Sequence, residues 1–343
     1  MLLRSDNVAG IAPEVVSALV DANAGEMEPY GDDPLSAALP AQFSDLFGAD
    51  ALAVPVVSGT AANALAIASI AGPHALIFCH NDAHCLLSEC GSVEFFSPGT
   101  RLHPIAGQHG KIDPAALLKA IEKLDLKRGN SFIPMGLTLT QLTEAGTAYS
   151  MDELARLAEI ARQFGLRIHM DGARLANATA FLKCDLAEIT WRAGVDVVSF
   201  GGTKNGTMCA DGVVFFNKSL AQDFKRRLKR SGHDLSKARF MAAQLSRYIQ
   251  DGLWLRNAEL ANAAARELAE IFLRVPGAEL LHPVEGNIIF LALPEAEVER
   301  LSARGVVLRS KDITADGKRT FRLVASFQTG RDFIQKVNRL IAI

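Results

Sequence analysis

Lys204 lies in VDVVSFGGTKNG, residues 195–206, whose first half alternates β-branched and small residues like a buried strand and whose second half is glycine-rich. The strand delivers a lysine to a tight loop. An amine placed where water is scarce loses its proton more readily and becomes a nucleophile toward a carbonyl carbon. A second apolar run, residues 166–170, ends in Asp171, followed by Gly172, Ala173 and Arg174. An acid and a lysine thus stand at two strand exits, where parallel sheets bind ligands. Further back, a strand-like run at 51–57, interrupted by Pro55, gives way to Ser58, Gly59 and Thr60 and then to an alanine-rich helical run ending near Ala71. Such a turn aims free backbone N–H groups and the positive end of a helix at an anion, phosphate for example. An ordinary Ser or Thr cap uses the same residues. His80 and His84, with cysteines adjacent, would share one face of a helix, so metal ligation has to be weighed, although neither HExxH nor paired CxxC frames them. Arg322, inside an apolar strand, calls for an anionic partner.

These groups need a scaffold of alternating strands and helices. Strands are expected at 75–79, 133–140, 212–216, 287–293 and 321–324. Asp113 and Pro114 start a surface helix over 115–123, and Ser150 with Glu153 forms a capping box for a helix to about Gln163, with Gly165 at C′. The basic run KRRLKR at 225–230 reads as a solvated helix face. Residues 240–275 are helical in pattern and link to a C-terminal domain with helices at 295–304 and 330–341. By contrast, residues 1–50 have scattered apolar positions punctuated by Gly25, Pro29, Gly31 and Pro34, so they read as an arm and a connection. The division expected is 1–246 for a large domain with its N-terminal arm and 247–343 for a small one.

Taken in order and with their separations, RSDN (4–7), YGDD (30–33), SGTAAN (58–63), DGAR (171–174), SFGGTKNG (199–206) and FRLV (321–324) resemble the low-specificity L-threonine aldolase family. Those are pyridoxal 5'-phosphate (PLP) enzymes of the aspartate aminotransferase fold, fold type I, and the likeness covers nearly the whole chain. The resemblance implies an α/β, PLP-dependent transferase-like fold, its large domain built on a mainly parallel central sheet beside a smaller C-terminal α+β domain. It implies reversible cleavage of L-threonine, L-allo-threonine and related β-hydroxy-α-amino acids to glycine and an aldehyde. Lys204 would hold PLP covalently, Asp171 would pair with its pyridine nitrogen, and Arg174 would lie beside its ring oxygen. Ser58, Gly59 and Thr60 would meet its phosphate. His84 would stack on the ring, with Glu89 in the following turns, and His84 or a water held by it would take the β-hydroxyl proton.

The same resemblance has Arg322, assisted by Ser5, clamp the substrate carboxylate; read from the residues alone, Ser5 is equally a turn or N-cap. It brings Tyr30, otherwise a packed loop aromatic, near the site of an adjoining subunit, and has Lys237, favoured over Arg239, reach that subunit's phosphate. A homodimer or homotetramer with shared sites is therefore implied. Many members carry a histidine in the loop after residue 140 where this chain has Thr143, so a mechanism relying on that second histidine does not carry over. Other fold type I chemistry, β-elimination or transamination, stays open beside the aldolase reading, as does a non-catalytic PLP-binding protein.

Composition narrows the field. The chain has 343 residues, 49% hydrophobic and 22% charged, enough for two cores. A net charge of −2 with no long basic block speaks against nucleic-acid or membrane partners. The first residues lack a secretory apolar core, the apolar stretch at 61–73 is too short to span a bilayer, and five cysteines without CxxC spacing suit a reducing compartment. The expected location is the cytoplasm.

Overall fold

The structure, a computed structural model, describes residues 3–124 and 129–342. Seven apolar runs form one sheet: β1 Leu52–Val56, β2 Ala75–His80, β3 Arg101–Ile105, β4 Ile133–Thr140, β5 Arg167–Gly172, β6 Val197–Phe200 and β7 Asp211–Phe215. Their order is β1-β7-β6-β5-β4-β2-β3, with β2 to β6 parallel to one another and β7 antiparallel to both β1 and β6. Helices cover both faces, which is why β2 and β7 are buried at every position and read as continuous apolar runs. Asp171 of β5 pairs in register with Ser199 of β6, so the acid's strand exit and the lysine's lie side by side.

A second sheet, antiparallel throughout, contains β8 Glu279–Leu280, β9 Ile288–Leu293, β10 Ser310–Ile313 and β11 Arg319–Val324 in the order β10-β11-β9-β8. Strands β9 and β11 follow the apolar pattern. β10, with all four residues exposed, carries no such pattern and is held by pairing with β11.

Residues 1–50 correct the expectation of an arm and a connection, for they hold two helices, α1 Pro13–Ala22 and α2 Pro34–Phe47. Pro13 and Pro34 occupy first helical turns, where a missing N–H costs nothing, and Asp33 caps α2 by accepting from Ser36 N at 2.9 Å. Of the residues that looked like loop punctuation, Pro34 marks a helix start, while Gly25, Pro29 and Gly31 lie in the connection between the two helices. Phe43 and Phe47 then set their rings edge-on to Phe200 at 5.4 and 5.9 Å, joining α2 to the strand that precedes Lys204.

The next helix, α3 Gly59–Ile70, is buried at every position from Ala61 to Ala68 and at Ile70, and so shows no polar stripe. Gly165 ends the helix Met151–Gln163 at φ 67°, and both bonds of the Ser150–Glu153 capping box are present. The helical stretch near 240–275 is two helices, Arg239–Ile249 and Leu253–Phe272, broken where Asp251 and Gly252 both take positive φ. Residues 246 and 247 lie within the first of them. Among the described residues no helix is long and apolar enough to cross a membrane.

Candidate active site

After β6 the chain turns through Gly201 and Gly202, and the first glycine has a clear steric reason. A Cβ there would stand 2.5 Å from the Ala173 carbonyl oxygen of the neighbouring strand exit. Asp211, at the start of β7, accepts from Gly202 N at 2.7 Å, Thr203 N at 3.1 Å and Thr203 Oγ1 at 3.0 Å. On the other side, Asn205 donates to Tyr248 Oη at 2.6 Å and to the Trp254 carbonyl at 2.7 Å. Lys204 is thereby fixed through its neighbours, while its own ammonium makes no hydrogen bond or ion pair among the described residues. Burial, and then the nearby Arg174 charge, hold its pKa below the usual lysine value.

Asp171, 4% exposed, accepts from Ala173 N at 3.0 Å and from Asn63 Nδ2 at 2.8 Å. The same Asn63 amide donates to Glu89 Oε1 at 2.9 Å, and that oxygen stands 2.8 Å from His84 Nδ1. The hydrogen bond that His84 donates to Glu89 raises the His84 pKa against the opposing effect of burial. His84 Nε2 is left without a protein partner among the described residues. His80 and His84 do not share a helix: His80 ends β2, with Nε2 3.2 Å from the Gly107 carbonyl, and His84 opens the short helix His84–Leu87. No group of three or more potential metal ligands occurs among the described residues.

At the start of α3, Ser58 accepts from Ala61 N at 3.3 Å through its hydroxyl and from Ala62 N at 3.0 Å through its carbonyl. The N–H groups of Gly59 and Thr60 have no partner among the described hydrogen bonds, and a Cβ placed on Gly59 would meet nothing within 4 Å. Open space and unpaired donors at a helix start suit an anion.

Arg174 is already paired. Its Nε and Nη2 donate to the two oxygens of Asp6 at 2.7 and 3.0 Å, and Asn287 donates to Asp6 Oδ2 at 3.1 Å. Ser5 plays the plain capping role, accepting from Asn7 N at 3.2 Å, yet it also borders the outer cleft. Arg322, on β11, faces that outer cleft with no hydrogen bond or ion pair among the described residues; burial first, and Arg174 second, lower its pKa. Tyr30 and Lys237 line neither part. Tyr30 is exposed at φ 57° with Lys229 Nζ 4.4 Å above its ring, and Lys237 is exposed as well.

The inner cleft is a cavity of about 260 Å³ into which Lys204, Asp171, His84 and the start of α3 all face, and it opens outward toward Arg322. Sequence reading missed Asn63, Asp211 and Glu144 among its lining residues, and also Asp6, which pairs with the lining Arg174. Asn63 had a signal, an amide inside an otherwise apolar helix. Thr143, the loop position singled out earlier, is fully buried and bonded to Thr147 and the His109 carbonyl; the residue that borders the cleft is its neighbour Glu144.

An unpaired lysine beside a buried carboxylate, opposite a bare helix start on a sheet of this order, defines the PLP-dependent class of fold type I, and the cleft fits the cofactor's aldehyde, ring nitrogen and phosphate in turn. The chain belongs to the beta-eliminating lyase family, whose sequence profile matches residues 3–295. It is 42% identical to the low specificity L-threonine aldolase of Pseudomonas aeruginosa over 99% of this chain and 96% of that one. The enzyme of the same name from a Pseudomonas species is also 42% identical, over 88% of this chain and 86% of that one. Among solved structures, threonine aldolase of Leishmania major has the same fold, with a TM-score of 0.90 at 23% identity over 98% of both chains.

Proposed function

We propose that this chain is a PLP-dependent lyase that reversibly cleaves L-threonine, L-allo-threonine and related β-hydroxy-α-amino acids to glycine and an aldehyde. The reading rests on one observation: two unpaired cations, Lys204 and Arg322, border a single cleft whose floor carries the buried Asp171. Lys204 would hold the cofactor covalently, the start of α3 at Ser58, Gly59 and Thr60 its phosphate, and Asp171, Arg174 and His84 its ring. When bound, PLP supplies an electron sink for the pair left on Cα as the Cα–Cβ bond breaks.

The residues do the rest. Asp171, its carboxylate already fed by two N–H donors, would hold a proton on the ring nitrogen. Arg322 binds the α-carboxylate through its planar fork, with Ser5 at the same rim, and so fixes which Cα bond lies in position to break. His84, oriented through Nδ1 by Glu89, offers Nε2 to the β-oxygen.

The purified protein, loaded with PLP and given L-threonine or D-threonine, is expected to release acetaldehyde and glycine from the L isomer. 2-Oxobutanoate and ammonia in their place would identify an eliminating enzyme.

Because Tyr30 and Lys237 stay off the cleft of their own chain, we take the working unit to be a homodimer or homotetramer in which those residues serve a neighbouring site. Five free cysteines fit a cytoplasmic location. We take 1–246 and 247–343 as two domains, each with one of the two sheets, a division that limited proteolysis would test.

A further inference from the structure

Four carboxylates border the inner cleft: Glu89, Glu144, Asp171 and Asp211. Three have fixed partners. Glu89 is bonded by Asn63, His84 and Ser92, Asp171 by Asn63 and Ala173, and Asp211 by the Gly202 and Thr203 groups. Glu144 alone of the four makes no hydrogen bond or ion pair among the described residues.

The loop that carries it has no use for its side chain. Gly146 N bonds to the Thr143 carbonyl at 2.9 Å, Thr143 N to the Thr147 carbonyl at 2.8 Å, and the Gln141 amide to both main-chain groups of Tyr149 at 2.9 and 3.0 Å. Gly146, at φ 80°, passes so close to Ile288 that a Cβ would stand 2.8 Å from that side chain. A stiff, internally satisfied turn therefore presents one largely buried carboxylate to the cleft. A buried acid without a partner is costly, and such groups persist where a ligand completes them.

Resting on the aldolase reading above, we propose that Glu144 is the group that takes the proton from the substrate's β-hydroxyl, beside a His84 that stays protonated and holds the oxygen. The β-O–H bond breaks with its proton passing to the Glu144 carboxylate. The oxygen's pair forms the aldehyde C=O, the Cα–Cβ pair remains with Cα, and one proton is returned at Cα, so that glycine leaves and the carboxylate is restored.

Glu144 is faced by Asp171 from β5, Arg174 beyond that strand, His84 from its short helix, Lys204 from the loop after β6 and Arg322 from β11. Burial and then the Asp171 charge push its pKa up, while Glu89 pushes His84 up as well. The geometry assigns the base to the glutamate, whose carboxylate faces the cleft without a partner among the described residues, while His84, its Nδ1 held by Glu89, has Nε2 to hold the β-oxygen.

The test compares Glu144→Gln and Glu144→Asp with wild type, all loaded with PLP. Glycine lacks the β-hydroxyl, so the absorbance change on glycine addition should keep its Kd within about twofold in both variants. Cleavage of L-threonine by Glu144→Gln should lose about 100-fold or more in kcat, together with the acid limb of its pH profile, and Glu144→Asp should recover part of both. Glu144→Gln cleaving within about threefold of wild type with the acid limb intact would overturn the proposal. Loss of the glycine response in parallel with cleavage in both variants would also overturn it, since that marks a structural group. Wild type that responds to glycine yet releases no aldehyde from L-threonine would overturn the aldolase reading and this proposal together.

Discussion

Asn63 Nδ2 stands 2.8 Å from Asp171 Oδ2 and 2.9 Å from Glu89 Oε1, so one amide group separates two buried carboxylates. Two acceptors facing each other fix which end of the amide points at them, because only its NH₂ can donate. Asn63→Ala should leave both oxygens short of a donor and cost about 1–3 kcal/mol of stability, read as a lower thermal midpoint with and without PLP. An unchanged midpoint would show that the amide is dispensable.

For Lys204→Ala, the expectation is loss of any chromophore that survives borohydride treatment and denaturation. No second lysine lines the inner cleft; Lys311 borders only the outer part, its ammonium over the Phe290 ring. A retained covalent band would move the attachment site elsewhere.

Asp6 gives a pH-dependent test. Burial alone would raise its pKa above the usual 3.8, but the Arg174 charge and hydrogen bond win and hold it lower. The pair's contribution is thus fully present above the ordinary aspartate value and is lost as pH falls through the lowered one. Asp6→Asn, which strands the buried guanidinium, should destabilise by about 3–5 kcal/mol at neutral pH. That difference should shrink as the pH is taken below 3.8, in unfolding followed by fluorescence. A difference that ignores pH would refute the ion pair as its source.

Site sharing can be tested by mixing inactive Lys204→Ala subunits with inactive Lys237→Ala subunits under conditions of exchange. A mixed dimer rebuilds one intact site from two chains, so activity should return to about one quarter of wild type in a random mixture. Verified mixed dimers without recovery would exclude Lys237 from a shared site.

Much of the framework could be read from residue order. Lys204 and Asp171 stood out because each ends an apolar run of strand length, and Ser58 because a small-residue turn precedes a helical one. What stayed hidden depends on partners distant in sequence. Asp6 looked like any polar residue of an arm, since its meaning comes from Arg174 and Asn287. Glu144 was passed over for Thr143, because only the fold of the 141–149 loop decides which of two adjacent side chains faces the cleft. Helices α1 and α2 were missed for a local reason: proline at a helix start and proline in a loop look alike until the cap, here Asp33, is seen to engage.

The reach of Asp6 has a consequence for how the protein folds. Its two partners lie 168 and 281 positions further along, and Leu3 O accepts from Val324 N beside them. Contacts of that span close large loops and come late in folding, after neighbours in sequence have paired. Strands β2 to β7 can assemble from shorter-range pairings, whereas the pairing of β1 with β7 and the contact by which Asp6 holds Arg174 in the cleft wall both close long loops. Refolding should therefore pass through a species with strands β2 to β7 paired and its cleft still open, unable to retain cofactor until residues 287 and 324 are in place to receive residues 3 to 6.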